Sequence, residues 1–99
     1  YPGLKGHSSY SIGQKQMLNG FGGMLSIKLN GGIEDAKKTV SNANIWMTAT
    51  SLGSVESLIE HRKIVEGDNS KVEDNLLRLS VGIEAVEDLI YDIDQAIST

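Results

Sequence analysis

Arg78 stands in the middle of Leu76-Leu77-Arg78-Leu79-Ser80-Val81-Gly82-Ile83-Glu84 and is the side chain of this sequence best suited to binding chemistry. The stretch reads as a strand that turns directly into a helix. Leu77, Leu79 and Val81 share one face by the period of two, and Leu76, Arg78 and Ser80 share the other. A guanidinium is always charged, and its planar fork matches a carboxylate or phosphate with two parallel hydrogen bonds. Arg78 therefore has two readings: an arginine in water on an exposed strand face, or a clamp for an anionic ligand.

The remaining chemical inventory is thin. There are two histidines and no cysteine, which excludes thiolate chemistry, a disulfide frame and cysteine-based zinc. His61 has no second histidine or acid at ligand spacing. The glycines of Asn19-Gly20-Phe21-Gly22-Gly23 could cradle a phosphate. They lack the GxxxxGK[ST] pattern, and no clear strand precedes them, so they read as a bend leading into a strand. His61-Arg62-Lys63 is a basic run in an acidic chain and reads as a solvated surface patch.

The 99 residues allow one domain with a modest core, and the 39% apolar and 22% charged content is that of a globular chain. A net charge of -4 disfavours nucleic acid and anionic membrane as partners. The apolar runs are too short to span a bilayer, no signal peptide is visible, and the absence of cysteine fits a reducing cytoplasm. The sequence begins at Tyr1 in what reads as a loop, so a complete enzyme is not expected in these residues alone.

The elements that must position Arg78 follow from spacing. Tyr1-Pro2-Gly3-Leu4 is a turn or extended entry. Ile12, Gln16 and Met17 suggest a short helix with Ser8, Ser9 or Ser11 as its cap. Residues 24–30 alternate as a half-buried strand, with Leu25, Ile27 and Leu29 on one face. A helix over 33–42 carries Ile33, Ala36, Lys37 and Val40 at helical spacing and Glu34 and Asp35 in its first turn. Residues 44–50 are β-prone, and 55–61 form a second short strand. Residues 66–74 are the most loop-like, with a helical turn over 72–75. The last helix, over 84–97, has an apolar stripe of Ile83, Val86, Ile90, Ile93 and Ile97 widened by Leu89 and Ala96. Two similar βα corners result, Leu25-x-Ile27-x-Leu29 before Ile33 and Leu77-x-Leu79-x-Val81 before Ile83. The order α-β-α-β-β-β-α gives an α+β layer: a mixed or antiparallel sheet of three to four strands with helices on one face. The face bearing Arg78 is expected to be left uncovered.

Several ordered blocks resemble a known family. They are Tyr1-Pro2-Gly3-Leu4, Gln14-Lys15-Gln16-Met17, Gly20-Phe21-Gly22-Gly23-Met24-Leu25-Ser26, Ser51-Leu52-Gly53-Ser54-Val55-Glu56-Ser57-Leu58-Ile59-Glu60-His61 and Arg78-Leu79-Ser80-Val81-Gly82-Ile83-Glu84. Together they resemble the end of the Cys/Met-metabolism pyridoxal-phosphate enzymes, among them cystathionine γ-synthase, cystathionine γ-lyase, cystathionine β-lyase and methionine γ-lyase. The resemblance covers essentially the whole chain. It implies the C-terminal small domain of a fold type I enzyme over residues 1–99. The large domain, which carries the aldimine lysine and most of the pyridoxal 5'-phosphate site, lies outside this sequence.

The resemblance also implies site residues. Arg78 would bind the substrate α-carboxylate. Ser51 would lie near that carboxylate through its main chain and hydroxyl, with Leu52 beside it. Thr50 would occupy a position that distinguishes activities within the family. One departure stands out: Glu60-His61 runs into Arg62-Lys63-Ile64-Val65-Glu66-Gly67, where the family often has proline and a Met-Thr-His segment. This leaves the choice among γ-replacement, γ-elimination and β-elimination open. The implied function is the substrate-binding part of an enzyme of sulfur amino acid metabolism, a cytoplasmic homotetramer when intact. Its partners would be an amino-acid substrate and the large pyridoxal-phosphate-binding domain. The alternatives are a stand-alone α+β module that binds a small ligand or partner without catalysis, and a structural remnant with no ligand.

Overall fold

A computed structural model describes residues 1–99. The elements in chain order are α1 (Tyr10–Gln16), β1 (Met24–Lys28), α2 (Ile33–Asn42), β2 (Met47–Thr48), β3 (Leu58–His61), α3 (Arg62–Glu66), β4 (Leu76–Ser80) and α4 (Val86–Ser98). The four strands make one mixed sheet in the order β1-β4-β3-β2. β4 is antiparallel to both β1 and β3, and β2 runs parallel to β3. The α+β architecture expected from the spacing is the one observed.

The central place of β4 explains its composition. Leu77 is fully buried and Leu79 nearly so, and they meet Leu29, Ala36, Trp46, Ile59 and Leu89 in the core on the α2 and α4 side of the sheet. Asp35 helps to start α2, because its Oδ2 accepts the Gly32 N–H at 3.0 Å, one of the donors a helix N-terminus otherwise leaves free. The bend before β1 needs left-handed backbone: Asn19 has φ 60°, Gly20 138° and Gly22 83°.

Five expectations are corrected. The face bearing Arg78 is not left bare. It is open at the two edge strands, where Ser26 and Lys28 of β1 and Met47 of β2 are exposed, while β3 is buried along its whole length. The basic run is not a solvated patch. His61 is buried and its Nε2 donates to the Asp74 carbonyl at 2.6 Å; Arg62 opens α3 and pairs with Glu60 and Glu66. The helical turn lies at Arg62–Glu66 rather than over 72–75, because Arg62 and Glu66 bridge one turn as an i,i+4 pair. The β-prone 44–50 region gives only two strand residues, and the strand expected over 55–61 is confined to Leu58–His61. Residues 55–57 are instead held by the turn that follows β4.

The apolar stripe of the last helix faces the core only along one side, through Leu89, Ile93 and Ala96. Leu89, Asp92 and Ala96 are buried, whereas Ile83, Val86, Ile90 and Ile97 are exposed. A wide apolar arc permits several rotations of a helix. A polar anchor chooses among them here. Asp92 turns inward and accepts the backbone N–H groups of Asn44 (2.9 Å), Ile45 (2.7 Å) and Trp46 (3.0 Å).

Candidate functional site

The antiparallel registers place Ser26, Arg78 and Glu60 in one row across β1, β4 and β3. Side chains in such a row lie on the same face of the sheet. Arg78 is therefore flanked by a small polar residue on one side and a carboxylate on the other. All of its hydrogen bonds and ion-pair contacts run through Nη2. This atom donates to the carbonyls of Thr50 (2.9 Å) and Ser51 (3.0 Å) and lies 3.3 Å from Glu60 Oε1. Nε and Nη1 have no partner in the chain. The side chain retains 21% of its exposure, so it is fixed at one corner and still reachable. Beside it is a cavity of about 280 Å³ lined by Tyr1, Pro2, Met24, Leu25, Ser26 and Arg78.

The loop that meets Arg78 is held by the strand itself. The Gly53 N–H donates to Ser80 Oγ at 2.9 Å, two residues along β4 from Arg78 on the same face. The turn after β4 is fastened to the same segment. Ile83 N–H donates to the Val55 carbonyl at 2.9 Å, and Gly82 N–H to Ser57 Oγ at 2.8 Å. Glu84 accepts both the N–H (2.9 Å) and the hydroxyl (2.7 Å) of Ser57. The Ser57 backbone N–H and then its hydroxyl hold the Glu84 carboxyl below its ordinary range. Gly82 is required by close approach. A Cβ there would lie 2.2 Å from the Val55 carbonyl oxygen and 2.7 Å from Ser57 N.

Behind Arg78 the ions form a chain. Glu60, 2% exposed, presents Oε1 to both Arg62 Nη1 and Arg78 Nη2, while its Oε2 is buried without a partner. Arg62 also binds Glu66 through Nε (3.0 Å) and Nη2 (2.9 Å). Glu66 in turn accepts the Ser70 hydroxyl at 2.9 Å. Hydrogen bonding to Glu60, then to Glu66, raises the Arg62 guanidinium above its ordinary value. The Ser70 hydroxyl, then Arg62, lowers the Glu66 carboxyl.

Of the residues singled out in the sequence, Arg78, Thr50 and Ser51 converge, and Thr50 and Ser51 do so through their carbonyls. Leu52 lies in the same loop, is 57% exposed and makes no hydrogen bond to Arg78. Sequence reasoning missed Glu60, Arg62 and Ser80. An acid in the middle of an apolar strand was the available signal for Glu60. Only the strand register identifies Arg78 as its neighbour.

The residues around Arg78 suit a small anion with a carboxylate's geometry. They do not suit a phosphorylated aldehyde cofactor. No lysine lines the cavity, and Lys28, Lys37 and Lys63 are engaged by Glu73, Glu34 and the Ser70 carbonyl.

Comparison with known proteins gives a consistent picture. The chain is 42% identical over 102 residues to cystathionine gamma-synthase of Mycobacterium tuberculosis, covering 98% of this chain and 26% of that protein. It is 42% identical over 105 residues to cystathionine beta-lyase of Coxiella burnetii, covering 98% and 27% respectively. Among solved structures, metB from Corynebacterium glutamicum superposes with a TM-score of 0.83 at 40% identity, over 99% of this chain and 26% of that one. The chain thus spans about a quarter of the length of the relatives it matches. The family described as Cys/Met metabolism PLP-dependent enzyme matches residues 1–98, and the chain belongs to that family.

Proposed function

We propose that this chain is the substrate-carboxylate-binding part of a pyridoxal-phosphate-dependent enzyme acting on sulfur amino acids by γ- or β-elimination or replacement. Arg78 is its clamp. The observation that carries the reading is the one-cornered hold on this residue. Thr50 and Ser51 fix Nη2, while Nε and Nη1 remain available beside a cavity sized for a small ligand. An α-carboxylate received there loses little entropy, because the guanidinium is already oriented. A charge-assisted, partly desolvated pair of this kind is worth about 2–4 kcal/mol.

Cα of the bound amino acid would be positioned from this anchor, so that the bond to be broken is held in a fixed orientation. The cofactor supplies the electron sink for that chemistry. Its lysine and phosphate ligands belong to a large domain outside these residues, in keeping with the quarter-length match to the relatives. Residues 1–99 would then be the C-terminal small domain. The intact enzyme would be a cytoplasmic homotetramer of the transsulfuration type, in cysteine, methionine and cystathionine metabolism. Thr50 and Leu52 would border the substrate, and Ser51 would hold both the arginine and the ligand's surroundings.

Steady-state kinetics of the intact enzyme test this. Arg78→Ala is expected to raise KM sharply, and Arg78→Lys to recover little, because an ammonium cannot reproduce the fork. An unchanged kcat/KM in either variant overturns the assignment.

A further inference from the structure

Glu60 raises a question that the clamp alone does not answer. A buried carboxylate within ion-pair distance of a binding arginine competes with the ligand for its charge. Here Glu60 Oε1 lies 3.3 Å from Arg78 Nη2, yet the same oxygen is also held by Arg62 Nη1. Arg62 is fixed for this task by two contacts to Glu66, one turn further along α3. Glu66 is tied in turn to Ser70.

We infer that Arg62 is a positioning residue that neutralises Glu60, so that Arg78 offers an unspent positive charge to the α-carboxylate of an amino acid. The inference rests on the reading of Arg78 as the carboxylate clamp. Arg62 hydrogen-bonds Glu60 Oε1, whereas Arg78 lies within ion-pair distance of it and spends its hydrogen bonds on the Thr50 and Ser51 carbonyls. Arg62 is shared with Glu66, on which the Lys63 ammonium also acts, so Glu60, Glu66, Arg62 and Lys63 together sum to zero and leave Arg78 with net charge +1. If Arg62 becomes neutral, Glu60 has Arg78 as its only cation. The ligand then meets a pair that is already compensated, in a site where charges are weakly screened. α3 is thereby assigned a role at Arg78, which Arg62 reaches through Glu60.

The test is calorimetric titration of the intact, pyridoxal-phosphate-loaded enzyme with glycine and, separately, with glycinamide, which lacks the carboxylate. Arg62→Gln is expected to weaken glycine about tenfold and to leave glycinamide unchanged. Arg62→Met is expected to behave in the same way and serves if the glutamine variant does not fold. Arg62→Lys, which keeps the charge, is expected to stay within about threefold of the parent. Neutralising both partners in the double variant Glu60→Gln/Arg62→Gln is expected to restore glycine binding, a rescue that a merely structural role for Arg62 would not give. The proposal is overturned if glycine binding is unaffected by Arg62→Gln, if both ligands weaken together, or if the double variant is no better than the single one. Arg78→Lys measured in parallel separates the two claims. A glycine-to-glycinamide ratio unchanged by Arg78→Lys removes the clamp itself. A ratio changed by Arg78→Lys and not by Arg62→Gln removes only the role of Arg62.

Discussion

Asp92 Oδ2 accepts the backbone N–H of Trp46 at 3.0 Å, joining α4 to the segment before β2 across 46 residues of sequence. The Trp46 indole returns a hydrogen bond to the Leu89 carbonyl at 3.1 Å, so the two elements are stitched in both directions. Asp92→Asn removes the charge and replaces one acceptor with a donor facing the N–H groups of Asn44, Ile45 and Trp46. It is expected to cost about 2–3 kcal/mol in urea denaturation.

The same carboxylate predicts a pH dependence. Burial pushes the Asp92 carboxyl up, but the N–H groups of Asn44, Trp46 and Ile45 and the Gln95 amide together outweigh it, and the net shift is downward. A depressed carboxyl contributes stability that is full above its unfolded pKa and is lost as pH falls through its folded pKa. Stability of the parent chain should therefore decline from the ordinary aspartate range downward. Asp92→Asn should flatten that decline. An acid limb of unchanged steepness in the variant would show that Asp92 does not carry it.

Ser57 and Gly82 predict a second pair of effects. Ser57→Ala deletes the donor to Glu84 and the acceptor of the Gly82 N–H at a fully buried position. Leaving that N–H without a partner is expected to cost about 1–3 kcal/mol. Gly82→Ala sets a methyl against the backbone of Val55, Glu56 and Ser57, none of which is a flexible side-chain end. Its expected cost is at least about 3 kcal/mol in the same denaturation assay. A tolerated Gly82→Ala would mean that the turn after β4 is not packed on residues 55–57.

The rotation of α4 makes a contrast that the sequence pattern alone does not show. Ile90 lies in the apolar stripe yet is 61% exposed, whereas Leu77 on β4 is fully buried. In thermal or urea unfolding, Ile90→Ala should change stability by no more than about 0.5 kcal/mol. Leu77→Ala should cost about 2–5 kcal/mol. Equal losses would place α4 with Ile90 turned inward.

These contrasts show where sequence reading succeeds and stops. β1, α2 and β4 were legible because Leu25, Ile27, Leu77, Leu79 and Ala36 repeat at the period of the element they belong to. Arg78 was legible as a charge that a good strand must account for. α3 was not legible, because its one turn is held by the Arg62–Glu66 pair rather than by an apolar face. The orientation of α4 was hidden by Asp92, whose partners lie in another element. Glu60 was hidden for the same reason. Its neighbour is set by the β3–β4 register, a long-range fact that local patterning does not contain.

The most direct measurement is the crystal structure of the intact enzyme with a bound amino acid. The account predicts the α-carboxylate on Arg78, accepting from Nε and Nη1 at about 2.7–2.9 Å, with Nη2 still on the Thr50 and Ser51 carbonyls. A carboxylate held by other groups, with Arg78 turned to solvent, would contradict it.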